Sequence, residues 1–382
     1  MNLRKRILLI HLGSYGDCVM ATTIAHQIKG DYQGCHLTWC IADKYASVII
    51  NNPDVDDVWI FKLIEGETII GNGWERCKAE ANIRKAAGEF DLIFCTQVYP
   101  ENVANFDGTT RSSTFRNYPL PVTVPVTPII CLLPQEINKV QMFAAEHRLS
   151  SFKQVILMEC SPSSCQSLFN IELGLELAKR LTENRNDIRI IISTHLHFVP
   201  PNENIISANM LSYRENAALT HHCTLLVGCS SGITWIGTST ASKKIKTIQF
   251  LSRNLGTSFA SVVYDFRYWN LSTEHIIEST TTNVCSMLDI VNAALKDFPS
   301  ARKTYNEALK PIFWGWVCFI DYRRGFCGVF GAYRTMFLFI RRNGLSFGEL
   351  LDLKSLIRVL RGYAPNLKEL VLGRLLTMRR KT

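Results

Sequence analysis

The 382-residue chain contains no Cys-x-x-Cys pair, no Gly-x-Gly-x-x-Gly turn with a following acidic residue after either leading strand, and no short-period repeat or low-complexity tract. It also lacks any uncharged apolar run near the ~20 residues that a membrane-crossing helix needs, so none is expected. Thirteen cysteines, an odd number without a paired pattern, argue against a disulfide framework. They fit a reducing compartment, where thiols serve as small apolar side chains, and the cytosol is the expected location. The apolar stretch within residues 7–12 is five residues interrupted by His11, too short for a signal peptide. Without the dinucleotide fingerprint, a dehydrogenase is the poorer reading.

Apolar residues make up 47% of the chain and charged residues 20%, a balance that buries a core and excludes wholesale disorder. The length exceeds what one core serves, so three parts are expected: residues 1–145, 146–300 and an appendage at 301–382. The net charge of +9 is unevenly placed. Residues 301–382 hold 16 Lys and Arg against 5 Asp and Glu, whereas residues 1–300 hold 26 against 28. The body is neutral and the tail is basic.

Residues 6–11 form an apolar run suited to a buried parallel strand. The turn Gly13-Ser14-Tyr15-Gly16 follows, and Val19, Met20, Thr23, Ile24 and Ile28 then recur at helical spacing over 17–29 until Gly30. Further strands are expected over 35–41, 58–61 and 90–95, with a helix over 45–51. Between 101 and 128 the periodicity fades into Asn, Thr, Ser and Pro, which reads as loops, and a linker is expected near 133–149. A second series places strands over 154–158, 188–193, 225–227 and 246–250, and helices over 171–182, 214–221 and 232–240. Strands alternating with helices imply parallel sheets covered on both faces. Two such halves imply an α/β architecture of two Rossmann-like, doubly wound domains facing a central cleft, followed by a helical C-terminal extension.

In such sheets ligands sit beyond the carboxyl ends of the strands. Gly13, Ser14, Gly16 and Asp17 occupy that place in the first half. The glycines let the backbone approach a ligand, and Asp17 either points into the cleft or caps its own helix. In the second half Ser230, Ser231 and Gly232 join a strand to a helix, where amides and hydroxyls suit a diphosphate without a metal; the plainer reading is a turn capped by serine. After the strand at 154–158, Ser161, Ser163, Ser164, Gln166 and Ser167 offer neutral donors to phosphate oxygens, or form a solvated loop. His195 and His197 share one face of an extended segment, yet no third ligand has recognisable spacing, so no metal is expected. His221 and His222, at a helix end, suit contacts with terminal carbonyls. Glu203, in the loop beyond 188–193, is a candidate for holding a ribose.

The opening Ile7-Leu8-Leu9-Ile10-His11-Leu12-Gly13-Ser14-Tyr15-Gly16-Asp17-Cys18-Val19 resembles the N-terminal signature of glycosyltransferase family 9, the ADP-heptose:lipopolysaccharide heptosyltransferases. Thr22-Thr23 and Asn52-Pro53-Asp54-Val55-Asp56-Asp57-Val58 match that family in kind and order, and Ser231-Gly232 agree with its second signature, Gly-Asn-Asp-Ser-Gly-Pro-Met-His. Ser230 stands where the family has Asp, Trp235 where it has His, and a Lys before a Trp-Pro pair is absent from the stretch that includes Ser167. The resemblance, over roughly residues 6–295, implies a GT-B-type fold. It further implies inverting, metal-independent transfer of a sugar, such as heptose from ADP-heptose, to a lipopolysaccharide core or other bacterial surface-glycan acceptor. No cofactor beyond the nucleotide-sugar donor is implied. The resemblance makes Asp17 the catalytic base, taking the acceptor hydroxyl's proton as it attacks the anomeric carbon, while the nucleoside diphosphate leaves without a second acid. The departures keep a second reading open, a catalytically silent sugar-nucleotide-binding or scaffold protein of the same fold.

Arg76, Lys78, Arg84, Arg111 and Arg116 are candidates for contacts with an anionic acceptor, or solvated surface charges. In the tail, residues 311–342 interleave ten aromatic residues with five arginines. The pattern suits peripheral contact with an anionic inner membrane or packing of the tail on the body. It also suits stacking with single-stranded nucleic acid, but the neutral body and the lack of a recognisable module leave no nucleic acid expected.

Overall fold

The computed structural model describes residues 4–102, 105, 109–162, 166–252 and 260–309, together with 334, 337, 340 and 341. Its first half contains β1 (Arg6–Ile10), α1 (Tyr15–Asp31), β2 (His36–Ala42), a 3-10 segment (Asp43–Ile49), β3 (Asp57–Phe61), α2 (Asn72–Ala86), β4 (Leu92–Cys95), α3 (Thr110–Arg116) and α4 (Pro134–Glu146). The second half follows with β5 (Gln154–Glu159), α5 (Ile171–Thr182), β6 (Ile188–Ser193), β7 (Ile205–Ser207), α6 (Glu215–Leu219), β8 (Leu225–Gly228) and α7 (Gly232–Ile236). It continues through β9 (Lys246–Phe250), α8 (Val262–Tyr268), β10 (Ile276–Ser279), α9 (Val284–Lys296) and α10 (Phe298–Tyr305). The strands form two all-parallel sheets, ordered β3-β2-β1-β4 and β10-β9-β8-β5-β6-β7. This is the expected two-sheet α/β architecture.

The side-chain alternation of a strand explains why β1 reads as one unbroken apolar run. Ile7 and Leu9 enter one core cluster with α1, while Leu8 and Ile10 enter another with Trp74 of α2. β5 repeats the device: Ile156 and Met158 face the α5 and α9 side, Val155 and Leu157 the α4 side. Strand order reverses between β1 and β4 and between β5 and β8, so the turns after β1, β5 and β8 lie where α/β sheets open a crevice.

Several expectations differ from the structure. The linker near 133–149 is instead α4, opened by Pro134, with the Glu136 carboxylate accepting the Leu133 amide (2.7 Å) and with Val140, Phe143 and Ala144 buried. The loops over 101–128 include α3, a helix whose Ser112, Ser113 and Thr114 are buried rather than solvated. The helix expected over 45–51 is instead the 3-10 segment Asp43–Ile49, and the helix over 232–240 stops at Ile236. α9 and α10 pack on the second sheet through Met287, Ile290, Phe298 and Ala301.

Two motif stretches prove structural. The Thr22 hydroxyl accepts the Ile129 amide (2.8 Å), the Asn52 amide group donates to the Ile129 carbonyl (3.2 Å), and Asp54 pairs with His26 (3.0 Å). Most of the tail stretch at 311–342 lies outside the described residues; Arg334, Phe337 and Arg341 are helical and exposed. No helix among the described residues is long and apolar enough to cross a membrane.

One guanidinium joins the halves. Arg214, 1% exposed, binds both Glu136 carboxylate oxygens (2.8 and 2.9 Å) and donates to the Ser47, Ile50 and Cys131 carbonyls. Removing one partner of a buried pair strands the other charge, so Arg214→Met is expected to lose about 3–5 kcal/mol of unfolding free energy. Urea denaturation checks this, and an unchanged midpoint would contradict the clamp.

Candidate active site

Between the sheets lies a cleft of about 640 Å³, within the size range of small-molecule sites. Ser14, Tyr15, Gly16, Asp17 and Met20 line it from the α1 side. Glu159, Ser161, Thr194, Tyr213, Asn216, Ser230, Ser231, Gly232 and Trp235 line it from the second half. The two glycine turns named from the sequence therefore meet. Tyr15 lies against Tyr213 with ring centroids 4.5 Å apart, and Gly16 abuts the Trp235 ring so closely that a Cβ would stand 3.4 Å from it.

Asp17 lines the cleft and also caps α1. Its Oδ2 accepts the Ser14 amide (3.3 Å) and the Ser14 hydroxyl (3.1 Å), so the two readings of this residue coexist. Burial pushes its carboxyl above the ordinary carboxylate value, against the pull of the two Ser14 bonds. Its surroundings are aromatic: Tyr45 meets Tyr15 edge-on at 4.9 Å, and Trp235 packs on Met20. Gly13 stands behind this layer, where a Cβ would fall 2.3 Å from the Tyr45 ring, so it shapes the turn rather than the cleft surface.

The proposed diphosphate cradle is already occupied by the chain itself. Glu159, at the end of β5 and 2% exposed, accepts the Ser231 hydroxyl (2.6 Å) and the Ile233 amide (2.8 Å) on Oε1. Its Oε2 accepts the Thr234 amide (3.2 Å) and hydroxyl (2.8 Å). An internal carboxylate thus fills the head of α7, correcting the expectation that Ser231 and the following amides stand open to an anion. Ser230 has a left-handed backbone, φ 52°, held by its amide donating to Gln249 (2.5 Å) and its carbonyl accepting from Gln166 (3.2 Å).

The serine loop divides. Ser161 lines the cleft and its hydroxyl pairs with Thr194 (2.6 Å); Gln166 lines it too. Ser167 does not: its hydroxyl donates to the Phe250 carbonyl (2.5 Å) and accepts the Phe169 amide (2.9 Å), which makes it a turn-holding residue. Ser163 and Ser164 lie outside the described residues. His195 is at the cleft, but no metal-binding cluster occurs among the described residues. His221 reaches the Ala241 carbonyl (3.1 Å).

The sequence reading missed Glu159, Tyr45, Tyr213 and Asp265 as cleft residues. Glu159 left a signal, an acidic residue closing the apolar run over 155–158; the tyrosines left none. Asp265 of α8 faces Arg111 of α3 at 3.1 Å, an ion pair across the halves with side chains 6% and 1% exposed, beneath the Trp235 ring. A second strand-end carboxyl repeats the Glu159 pattern. Glu278, near the end of β10, accepts the Val262 and Val263 amides (2.6 and 3.0 Å) and the Ser261 hydroxyl (2.6 Å) at the head of α8. Burial raises its carboxyl to about 7 despite these bonds.

No protein-family model matches the chain, and no curated protein matches it by sequence. Among solved structures, a glycosyltransferase family 9 protein from Veillonella parvula DSM 2008 superposes with a TM-score of 0.53 and 16% identity, covering 78% of this chain and 94% of that one. A protein described as a UDP-N-acetylglucosamine 2-epimerase from Listeria monocytogenes gives 0.50 and 12%, covering 84% and 97%. The chain therefore has the fold of the family 9 glycosyltransferase, as its motifs led one to expect, and shares it with the epimerase.

Glu278 makes stability depend on pH. Its folded value lies above that of an unfolded glutamate, so its contribution is fully present below about pH 4.5 and is lost as pH rises toward about 7. Relative to Glu278→Gln, the unfolding free energy of the native chain is expected to fall by about 1.4 kcal/mol per pH unit across that window and then level. Parallel profiles in chemical denaturation at a series of pH values would contradict this.

Proposed function

We propose that the chain is an inverting glycosyltransferase using a nucleotide-sugar donor, with Asp17 as the general base. The observation that carries this reading is the place of Asp17. It sits in the first turn of α1, beyond the carboxyl end of β1, inside the cleft between the two parallel sheets, with its carboxyl raised by burial and without an ion pair among the described residues. An acceptor hydroxyl hydrogen-bonded to Asp17 loses its proton as its oxygen attacks the anomeric carbon, and the sugar–phosphate bond breaks on the opposite face. A raised carboxyl is a stronger base once ionised.

On the leaving-group side, Glu159 fills the α7 head, so the diphosphate would meet the neutral side chains of Ser161, Thr194 and Asn216 and that of His195. We take the donor to be heptose on ADP, the acceptor to be a lipopolysaccharide core or related surface glycan, and the place of reaction to be the cytoplasmic face of the inner membrane, with the basic aromatic tail as its contact. All three rest on the motif resemblance and on the tail composition. The internal carboxylate at Glu159 favours the second reading, a protein that binds a sugar nucleotide without turning it over.

Asp17→Asn separates the two. The variant is expected to lose about 10²- to 10⁴-fold in transfer rate while nucleoside diphosphate-sugars still raise its melting temperature. Donor-dependent stabilisation of the native chain with no transfer to any glycan acceptor would favour the silent reading.

A further inference from the structure

Four of the basic residues singled out in the first half are engaged within that half. Arg76 forks onto Glu67 (2.7 and 2.8 Å) over the Phe61 ring, Lys78 pairs with Glu101 (2.6 Å), and Arg84 pairs with Glu89 (2.8 Å) against Trp59 and Phe90. Arg116 donates to the Asn105 carbonyl and the Ser113 hydroxyl. Arg111 of α3 differs. It lines the cleft, is 1% exposed, and reaches into the second half, where its guanidinium carbon lies 5.2 and 5.5 Å from the ring centroids of Trp235 in α7 and Phe266 in α8.

The hydrogen bonding of this guanidinium is incomplete. Nη1 donates to the Val126 carbonyl (3.1 Å), Nε stands 3.1 Å from an Asp265 carboxylate oxygen without the alignment of a hydrogen bond, and Nη2 has no acceptor among the described residues. Asp265 thus balances the charge through space and leaves most of the donor fork unused. A buried ion in that state is costly, and an oxyanion that accepts from the fork offsets the cost. The rest of the cleft gives this cation a task. A departing diphosphate gains negative charge as its bond to the sugar breaks, and a fixed cation at that place stabilises the transition state. Glu159 already fills the α7 head, and the exposed Lys44 has its ammonium over the Tyr45 ring (5.7 Å).

We propose that Arg111 is the oxyanion-binding residue of the cleft, holding the donor's diphosphate from the opposite half and stabilising it as it leaves; this rests on the glycosyltransferase reading and deepens it by naming the cation of its leaving-group side. Asp265 is a positioning residue. It keeps the guanidinium in place until a diphosphate, which carries more than one negative charge, takes the fork. Arg111 belongs to the first half and its ring neighbours to the second, so a bound diphosphate also ties the halves together. A phosphate or carboxylate on the acceptor offers the same chemistry, and the two sources are told apart by their small-molecule counterparts.

Isothermal titration calorimetry on the full chain tests this without turnover. The probes are inorganic pyrophosphate, ADP and adenosine for the donor, and glucose 6-phosphate and glucuronic acid for the acceptor. The native chain is expected to bind pyrophosphate and ADP, and Arg111→Gln to lose about 10- to 100-fold in affinity for both, with the affinities for adenosine, the sugar phosphate and the sugar acid unchanged. Asp265→Asn, which keeps the guanidinium, is expected to bind pyrophosphate at least as tightly as the native chain. Arg111→Met combined with Asp265→Leu removes both charges, a replacement that buried pairs commonly tolerate, and is expected to show the same loss as Arg111→Gln. No pyrophosphate binding by the native chain, equal binding by the Arg111 variants, an equal loss in Asp265→Asn, or a loss confined to glucose 6-phosphate and glucuronic acid would each overturn the proposal. Should both Arg111 variants prove unfolded, crystals of the native chain with pyrophosphate decide: an oxygen about 3 Å from the guanidinium nitrogens is expected, and pyrophosphate bound elsewhere contradicts it. Arg111-dependent pyrophosphate binding in a chain that transfers no sugar would sink the enzyme reading and leave this site standing. Asp17-dependent transfer that is unchanged in Arg111→Gln would do the reverse.

Discussion

The contact of α1 with α7 is the constraint on which the cleft depends. Tyr15 against Tyr213, and Gly16 against Trp235, hold the leading turn of one sheet beside the switch-point loop of the other. A side chain at Gly16 would press on the indole, and one at Gly13 would collide with Tyr45, so the glycines of the first motif are there to let two loops approach. Bringing the loops together also removes water from Asp17, which is what raises its carboxyl. Packing and proton affinity thus have one cause.

The second half solves a different problem. Parallel strands deliver short helices whose first amides point at the cleft, and buried N–H groups need partners. In α7 and α8 those partners are the carboxyl groups of Glu159 and Glu278, each projecting from the end of a strand. The loops are fixed whether or not a ligand is present. The cleft they border is less receptive to phosphate at α7 than its sequence suggests, because the negative charge that suits a helix head is already supplied.

Legibility followed burial. β1, β5 and β6 are apolar on both faces and stood out as continuous runs, and α5, whose Leu177, Ala178 and Leu181 face one core, could be read to the residue. α3 was hidden because, apart from Phe115, its buried residues are Arg, Ser and Thr, with Arg111 held by the Asp265 carboxylate, the Val126 carbonyl and the Trp235 and Phe266 rings that tertiary structure brings to it. α4 was hidden because Ile137 and Met142 are exposed, which blurs the stripe. At the site, Asp17 and the glycine turns were readable as a motif at a strand end. Ser167 was misread, since a serine that holds a turn and one that faces a ligand look alike in a sequence, and Tyr213 had no motif at all.

The most direct measurement is a crystal structure of the full chain with a nucleotide-sugar donor. The expected result places the diphosphate on the Ser161 and Asn216 wall and the anomeric carbon toward Asp17, with room for one hydroxyl oxygen about 3–3.5 Å from the reacting carbon. A donor bound outside the cleft, or one whose sugar points away from Asp17, would contradict the assignment of that carboxylate as the base.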